Sequence, residues 1–111
     1  MSRRTQKVAS LLHQEIGEYF KRLELPTLTT ISKVEVTPDL KWGKIWITIM
    51  GNTEAKKQTL KTLKEEQPDL QAKLIDKLNM KIVPRIKFMI DHGEEYAAHI
   101  NQLLRKTHED S

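Results

Sequence analysis

Lysine and arginine are the residues of this chain best placed to do chemistry, and they stand in two groups. Arg3, Arg4 and Lys7 occupy the first seven positions with no acid among them. Lys73, Lys77, Lys81, Arg85 and Lys87 follow later, with Asp76 as the one acid between Lys73 and Lys87. Side chains of this kind bind polyanions, because each phosphate they neutralise releases a condensed counterion, and RNA is the partner they fit. The acids gather elsewhere, at Glu65, Glu66 and Asp69 and again at Glu109 and Asp110. Lys44 and Trp46 form a secondary candidate. Two residues apart in an alternating strand, they share one face, a cation beside a ring on which an RNA base or a protein partner can pack. The plainer account of each group is a solvated helix face or a lone exposed tryptophan, both common on protein surfaces.

Other chemistries lack their residues. There is no cysteine, so disulfides, thiolate nucleophiles and cysteine metal sites are excluded, which fits a reducing compartment. His13, His92, His99 and His108 share no metal-ligand spacing with one another or with carboxylates. No Gly-rich phosphate loop, nucleophile elbow or catalytic carboxylate pair is present, and Asp39 and Asp91 read as turn and strand-end residues. The expectation is a non-catalytic protein with no metal, no cofactor and no small-molecule substrate. At 111 residues, 38% hydrophobic and 31% charged, the chain suits one soluble α+β domain, with a core over about residues 3–104 and a short tail over 105–111. No apolar run is long enough for a bilayer, and the start of the chain does not read as a secretory signal.

The elements that must position these cations follow from periodicity. Val8, Leu11, Leu12, Ile16, Tyr19, Phe20 and Leu23 make one helical stripe over about Arg3 to Arg22, ended by Pro26. A strand over about Ile31 to Thr37 is expected to place Ser32, Val34 and Val36 on one face and Ile31, Lys33 and Glu35 on the other. Pro38 to Lys41 has turn chemistry. In the next strand, about Trp42 to Met50, Ile45, Ile47 and Ile49 face a core while Lys44, Trp46 and Thr48 face away. A helix over about Glu54 to Glu66 is expected to stop before Pro68, which opens a further helix with Leu70, Leu74, Ile75 and Leu78 buried. A third strand, about Lys81 to Asp91, puts Ile82, Ile86, Phe88 and Ile90 inward, with Pro84 marking an edge or an irregular opening. A last helix, about Glu94 to Lys106, carries Tyr96, Ala97, Ile100, Leu103 and Leu104. With helices on one sheet face only, Lys33, Lys44, Trp46, Thr48, Arg85 and Lys87 share the wet face.

This order looks like the type II K-homology fold, and the sequence resembles the ribosome-binding factor A family in particular. Arg4-Thr-Gln-Lys-Val8 is similar to the family's Arg-rich helix start. Val34-Glu-Val-Thr-Pro-Asp-Leu40 followed by Lys44-Ile-Trp-Ile-Thr-Ile-Met-Gly51 is similar to its hairpin. Met80-Lys-Ile-Val-Pro-Arg-Ile-Lys-Phe-Met-Ile-Asp91 is similar to its last strand. The resemblance spans about Arg3 to Leu104. One departure is clear: nucleic-acid-binding K-homology domains carry a Gly-x-x-Gly loop between the middle helices, the family has an Ala-x-Gly kink there, and this chain reads Glu66-Gln67-Pro68.

The resemblance implies a ribosome assembly factor, monomeric off the ribosome, in a bacterial cytoplasm or a plastid stroma. Such a factor binds the free small (30S) ribosomal subunit and its 16S ribosomal RNA late in maturation. It assists 5′-end processing, supports growth in the cold and leaves before translation. The rival reading is a protein-interaction module that docks through the sheet face around Trp46 without touching RNA.

Overall fold

The computed structural model describes residues 2–91. Helix α1 (Arg3–Arg22) is followed by strands β1 (Thr29–Val36) and β2 (Trp42–Ile49), helix α2 (Thr53–Leu78) and strand β3 (Arg85–Ile90). The sheet order is β1-β2-β3, with β1 antiparallel and β3 parallel to the central β2. A parallel neighbour needs a crossover, and α2 supplies it. Ser2 caps α1, its hydroxyl accepting from the Thr5 N–H, and Asn52 caps α2 through the Ala55 N–H. Val8, Leu12, Ile16, Tyr19 and Phe20 of α1 and Leu63, Leu70 and Leu74 of α2 bury their side chains on Ile45, Ile47, Ile49 and Ile86. Both helices therefore lie on one sheet face, as the α+β reading requires. The helix expected over Glu94 to Lys106, the tail after it and three of the histidines (His92, His99 and His108) lie outside the described residues.

The structure changes four details. First, β1 carries a bulge: Ile31 pairs with Ile47 but Lys33 pairs with Trp46, leaving Ser32 as the extra residue. A bulge shifts the side-chain phase by one, so Ile31 packs against the core with Val34 and Val36. Ser32 turns to the wet face, where its hydroxyl meets Thr48 Oγ1 at 2.5 Å. Second, α2 runs unbroken through Pro68. Pro68 is exposed, so water can reach the Lys64 carbonyl it leaves unbonded. Buried Leu63 and Leu70, on either side, hold both halves of the helix to one core. Third, Ile75 is 56% exposed. Fourth, residues 81–84 are not strand, so Ile82 is 54% exposed and Val83 packs inward, with Pro84 buried before β3 opens.

Two devices fix the sheet where the candidate site will be built. The β1–β2 turn is closed by Leu40 N–H to Thr37 O at 2.8 Å, and the Lys41 N–H bonds Asp39 Oδ1 at 3.0 Å. Leu40 takes a left-handed φ of 62°, uncommon for a side chain of its size, while its side chain is buried. On the other edge, Gln71 Oε1 accepts the Ile86 N–H at 3.0 Å and Gln71 Nε2 donates to the Pro84 carbonyl at 3.0 Å. Gln67 Nε2 donates to the Ile86 carbonyl at 2.7 Å. Two amides one turn apart on α2 thus satisfy the outer edge of β3.

Candidate nucleic-acid interface

The two helices run antiparallel, and this sets where the cations go. Tyr19 meets Glu66 and Asp69, whereas Glu15, one turn earlier in α1, meets Lys77 near the end of α2. Continuing back along α1 leads past the end of α2. Leu12 lies against Gly43 and Pro84: a β-carbon added at Gly43 would stand 3.1 Å from Leu12 Cδ1 and 3.6 Å from Pro84 Cβ. Lys7, Arg4 and Arg3 lie about one and a half to two and a half turns beyond, all exposed. Lys81 is exposed in the link before Pro84, and the Arg85 N–H bonds the Lys41 carbonyl at 2.8 Å. Arg3, Arg4, Lys7, Lys41, Lys81 and Arg85 therefore gather at one end of the molecule. α1 carries no acid in its first turn, so Arg3 and Arg4 sit at the positive end of the helix dipole. Charge placed there works against the helix and favours an incoming anion.

Lys73 and Lys77 behave differently from their neighbours in sequence. Lys73 Nζ is 3.3 Å from Asp69 and lies over the Tyr19 ring at 5.0 Å, and Lys77 Nζ is 3.4 Å from Glu15. The shortage of acids seen along Lys73 to Lys87 is made up by Asp69, one turn back, and by α1. Both lysines face the α1–α2 groove with Glu15, Glu18, Tyr19 and Arg22, away from the sheet face that holds Arg85 and Lys87. The run thus divides into a charge-paired helical part and a sheet part, and Lys81 marks the division. In the same groove the phenolic proton of Tyr19 is shared between Asp69 Oδ2 at 2.7 Å and Glu66 Oε2 at 2.9 Å. Burial first, then these carboxylates, push the phenol well above its ordinary pKa, while the Tyr19 bond and then Lys73 hold Asp69 below its own. Arg3, Arg4 and Lys7 lie in the capped first turns of α1, where the helical stripe was expected to begin.

On the wet face the three strands come into register. Lys44 stands between Glu35 and Lys87, Trp46 between Lys33 and Met89, and Trp42 beside Arg85. The Arg85 guanidinium lies over the Trp42 ring at 5.8 Å, a cation–π attraction. Lys33 pairs with Glu35 at 2.6 Å and holds its carboxyl below the usual range. Neither Lys44 nor Lys87 has an ion-pair partner among the described residues, although like charges directly opposite destabilise a sheet. Sequence reading passed over Trp42 and Lys41. Trp42 was legible, being in phase with Lys44 and Trp46, while Lys41 needed the turn geometry to join the basic end. Among the described residues no three His, Cys, Asp or Glu side chains are placed to hold a metal ion, and no helix is long and apolar enough to cross a membrane.

Fold and site together define a small α+β domain of K-homology-like topology, with a cation-rich end and an aromatic sheet face. A family model described as ribosome-binding factor A matches residues 4–104. The chain belongs to the ribosome-binding factor A family. It is 35% identical to ribosome-binding factor A of Chloroherpeton thalassium over 116 aligned positions, covering 100% of this chain and 92% of that one. It is 38% identical to the Chlorobium chlorochromatii protein, covering 94% and 87%. The crystal structure of ribosome-binding factor A from Thermus thermophilus superposes with a TM-score of 0.67 at 22% identity, covering 78% of this chain and 93% of that chain. A homology model of the Thermus thermophilus protein, fitted into the cryo-electron microscopy map of a 30S complex, superposes with a TM-score of 0.64 at 22% identity, covering 77% and 92%. At that identity the superpositions establish the fold.

Proposed function

We propose that this protein is a non-catalytic assembly factor that binds the free small (30S) ribosomal subunit through its ribosomal RNA. The observation that carries this reading is the family match over residues 4–104 of a chain whose cations collect at one end. Arg3, Arg4, Lys7, Lys81, Arg85 and Lys87 are the principal phosphate contacts, and Lys41 joins them. Lys73 and Lys77, already paired to Asp69 and Glu15, contribute more weakly. Lys44 and Trp46 form the secondary contact on the sheet. In this reading the factor acts late in maturation, assists formation of the 16S 5′ end, supports growth in the cold and works as a monomer in the cytoplasm. Gradient sedimentation of cell extract tests it: the protein should travel with free small subunits and be depleted from assembled ribosomes. Failure to travel with small subunits at any salt concentration overturns the reading.

A further inference from the structure

We infer that the open sheet face is a stacking surface for unpaired nucleotides, with Trp42 and Trp46 taking bases and Lys44 and Lys87 taking the phosphate between them. The inference deepens the proposed RNA-binding role by naming the strandedness of the RNA, and it rests on that role. Trp42, Lys44 and Trp46 alternate on β2, the central strand, so their side chains leave the same face at steps of about 7 Å, and the two tryptophans are rooted about 13 Å apart along the backbone. Cations flank each ring: Arg85 covers one side of Trp42, and Lys33 pairs in register with Trp46. Between the rings Lys44 and Lys87 stand opposite each other, and neither forms an ion pair among the described residues, since Glu35, in register with Lys44, is bonded to Lys33. An aromatic, a cation pair and a second aromatic in line match one strand of nucleic acid, whose bases offer flat faces on both sides of a phosphate.

One further observation favours a nucleotide over a protein. Trp42 is 44% exposed and already stacked against a guanidinium, so a base arriving on its open face completes a sandwich of aromatic, aromatic and cation. A duplex does not fit this surface, because its bases are stacked on one another and present only edges and backbone.

The test is tryptophan fluorescence and affinity of the full chain with a mixed-sequence single-stranded RNA hexamer and with the same hexamer in a duplex. The single strand should quench the fluorescence and bind more tightly than the duplex. Trp42→Ala should weaken single-strand binding by between about 5-fold and 150-fold, the range of one lost base stack. Trp42→Phe should restore most of it, and Lys44→Gln with Lys87→Gln should lower the salt dependence while leaving quenching intact. Equal affinity for duplex and single strand, or no change in Trp42→Ala and in Trp46→Ala, overturns the inference. So does loss of salt-insensitive subunit binding in Trp46→Ala with hexamer affinity unchanged, which would make the face a protein dock. Small-subunit binding by a wild type that ignores the hexamer would sink this inference and leave the assembly-factor reading standing.

Discussion

Gln71 is the side chain whose loss should most disturb the link between the fold and its cation-bearing strand. It receives the Ile86 N–H and donates to the Pro84 carbonyl, both at 3.0 Å, and Ile86 is only 1% exposed. Gln71→Ala deletes both bonds. An orphaned buried donor costs about 1–3 kcal/mol and a lost neutral bond about 0.5–1.5 kcal/mol, so the variant should lose about 2–4 kcal/mol. At roughly 4 °C per kcal/mol for a domain of this length, the thermal midpoint by circular dichroism should fall by roughly 8–16 °C. The urea midpoint should fall with the m-value unchanged. Gln71→Glu sharpens the test, because it keeps the acceptor for Ile86 but turns a carboxylate toward the Pro84 carbonyl. That repulsion raises the glutamate's folded-state pKa above its unfolded value of about 4.3. The stability it contributes is then complete below about pH 4.3 and lost as pH rises through the folded value, so the deficit against wild type widens toward neutral pH. A loss of under about 0.5 kcal/mol in Gln71→Ala, or a Gln71→Glu protein as stable as wild type at pH 7, would refute this account of how β3 is held.

Three smaller changes probe other parts of the structure. Tyr19→Phe should cost about 1–2 kcal/mol at pH 7. The Tyr19 pKa is raised by burial and by Asp69 and Glu66, so its contribution is intact below about pH 10 and lost as pH rises through the folded value; urea melts should show the gap narrowing in that range. Pro68→Ala should stabilise by about 1–3 kcal/mol, because the proline is exposed inside a continuous helix; a less stable variant would mean that the helix depends on a bend there. Gly17→Ala should gain about 0.5–1 kcal/mol in the same melts, since an added β-carbon meets nothing within 4 Å; a loss would reveal a hidden close contact.

The parts of the fold legible in sequence were those governed by one local rule. Strand β2 alternates without interruption, so its isoleucine core face and its Lys44–Trp46 face could be read directly. In β1 the inward residues Ile31 and Val34 are three apart, a spacing that breaks strict alternation, yet the β-branched residues on both sides of Ser32 masked the bulge. At Pro68 the local rule asks for a helix end, and the burial of Leu63 and Leu70 on a shared core overrides it. The candidate site suffered most from non-local pairing. Counting acids between Lys73 and Lys87 could not reveal Glu15 from α1, and the same antiparallel packing carries Arg4 and Lys7 toward Lys81, more than 70 residues away in the chain. Trp42 was read as the first residue of its strand, in phase with Lys44 and Trp46, and was passed over as a site residue all the same.

The proposed RNA-binding role turns on contact between ribosomal RNA phosphate and the end built from Arg4, Lys7 and Lys81. Its most direct test is equilibrium binding to purified free small subunits over a series of salt concentrations, comparing wild type with the triple variant Arg4→Glu/Lys7→Glu/Lys81→Glu. The wild-type affinity should fall steeply with salt, each phosphate contact adding about 0.7–0.9 to the logarithmic slope. The variant should lose about two units of slope or more and show no binding at physiological salt, with its thermal midpoint close to wild type. Affinity insensitive to salt, or a variant that binds as tightly as wild type, would contradict the account.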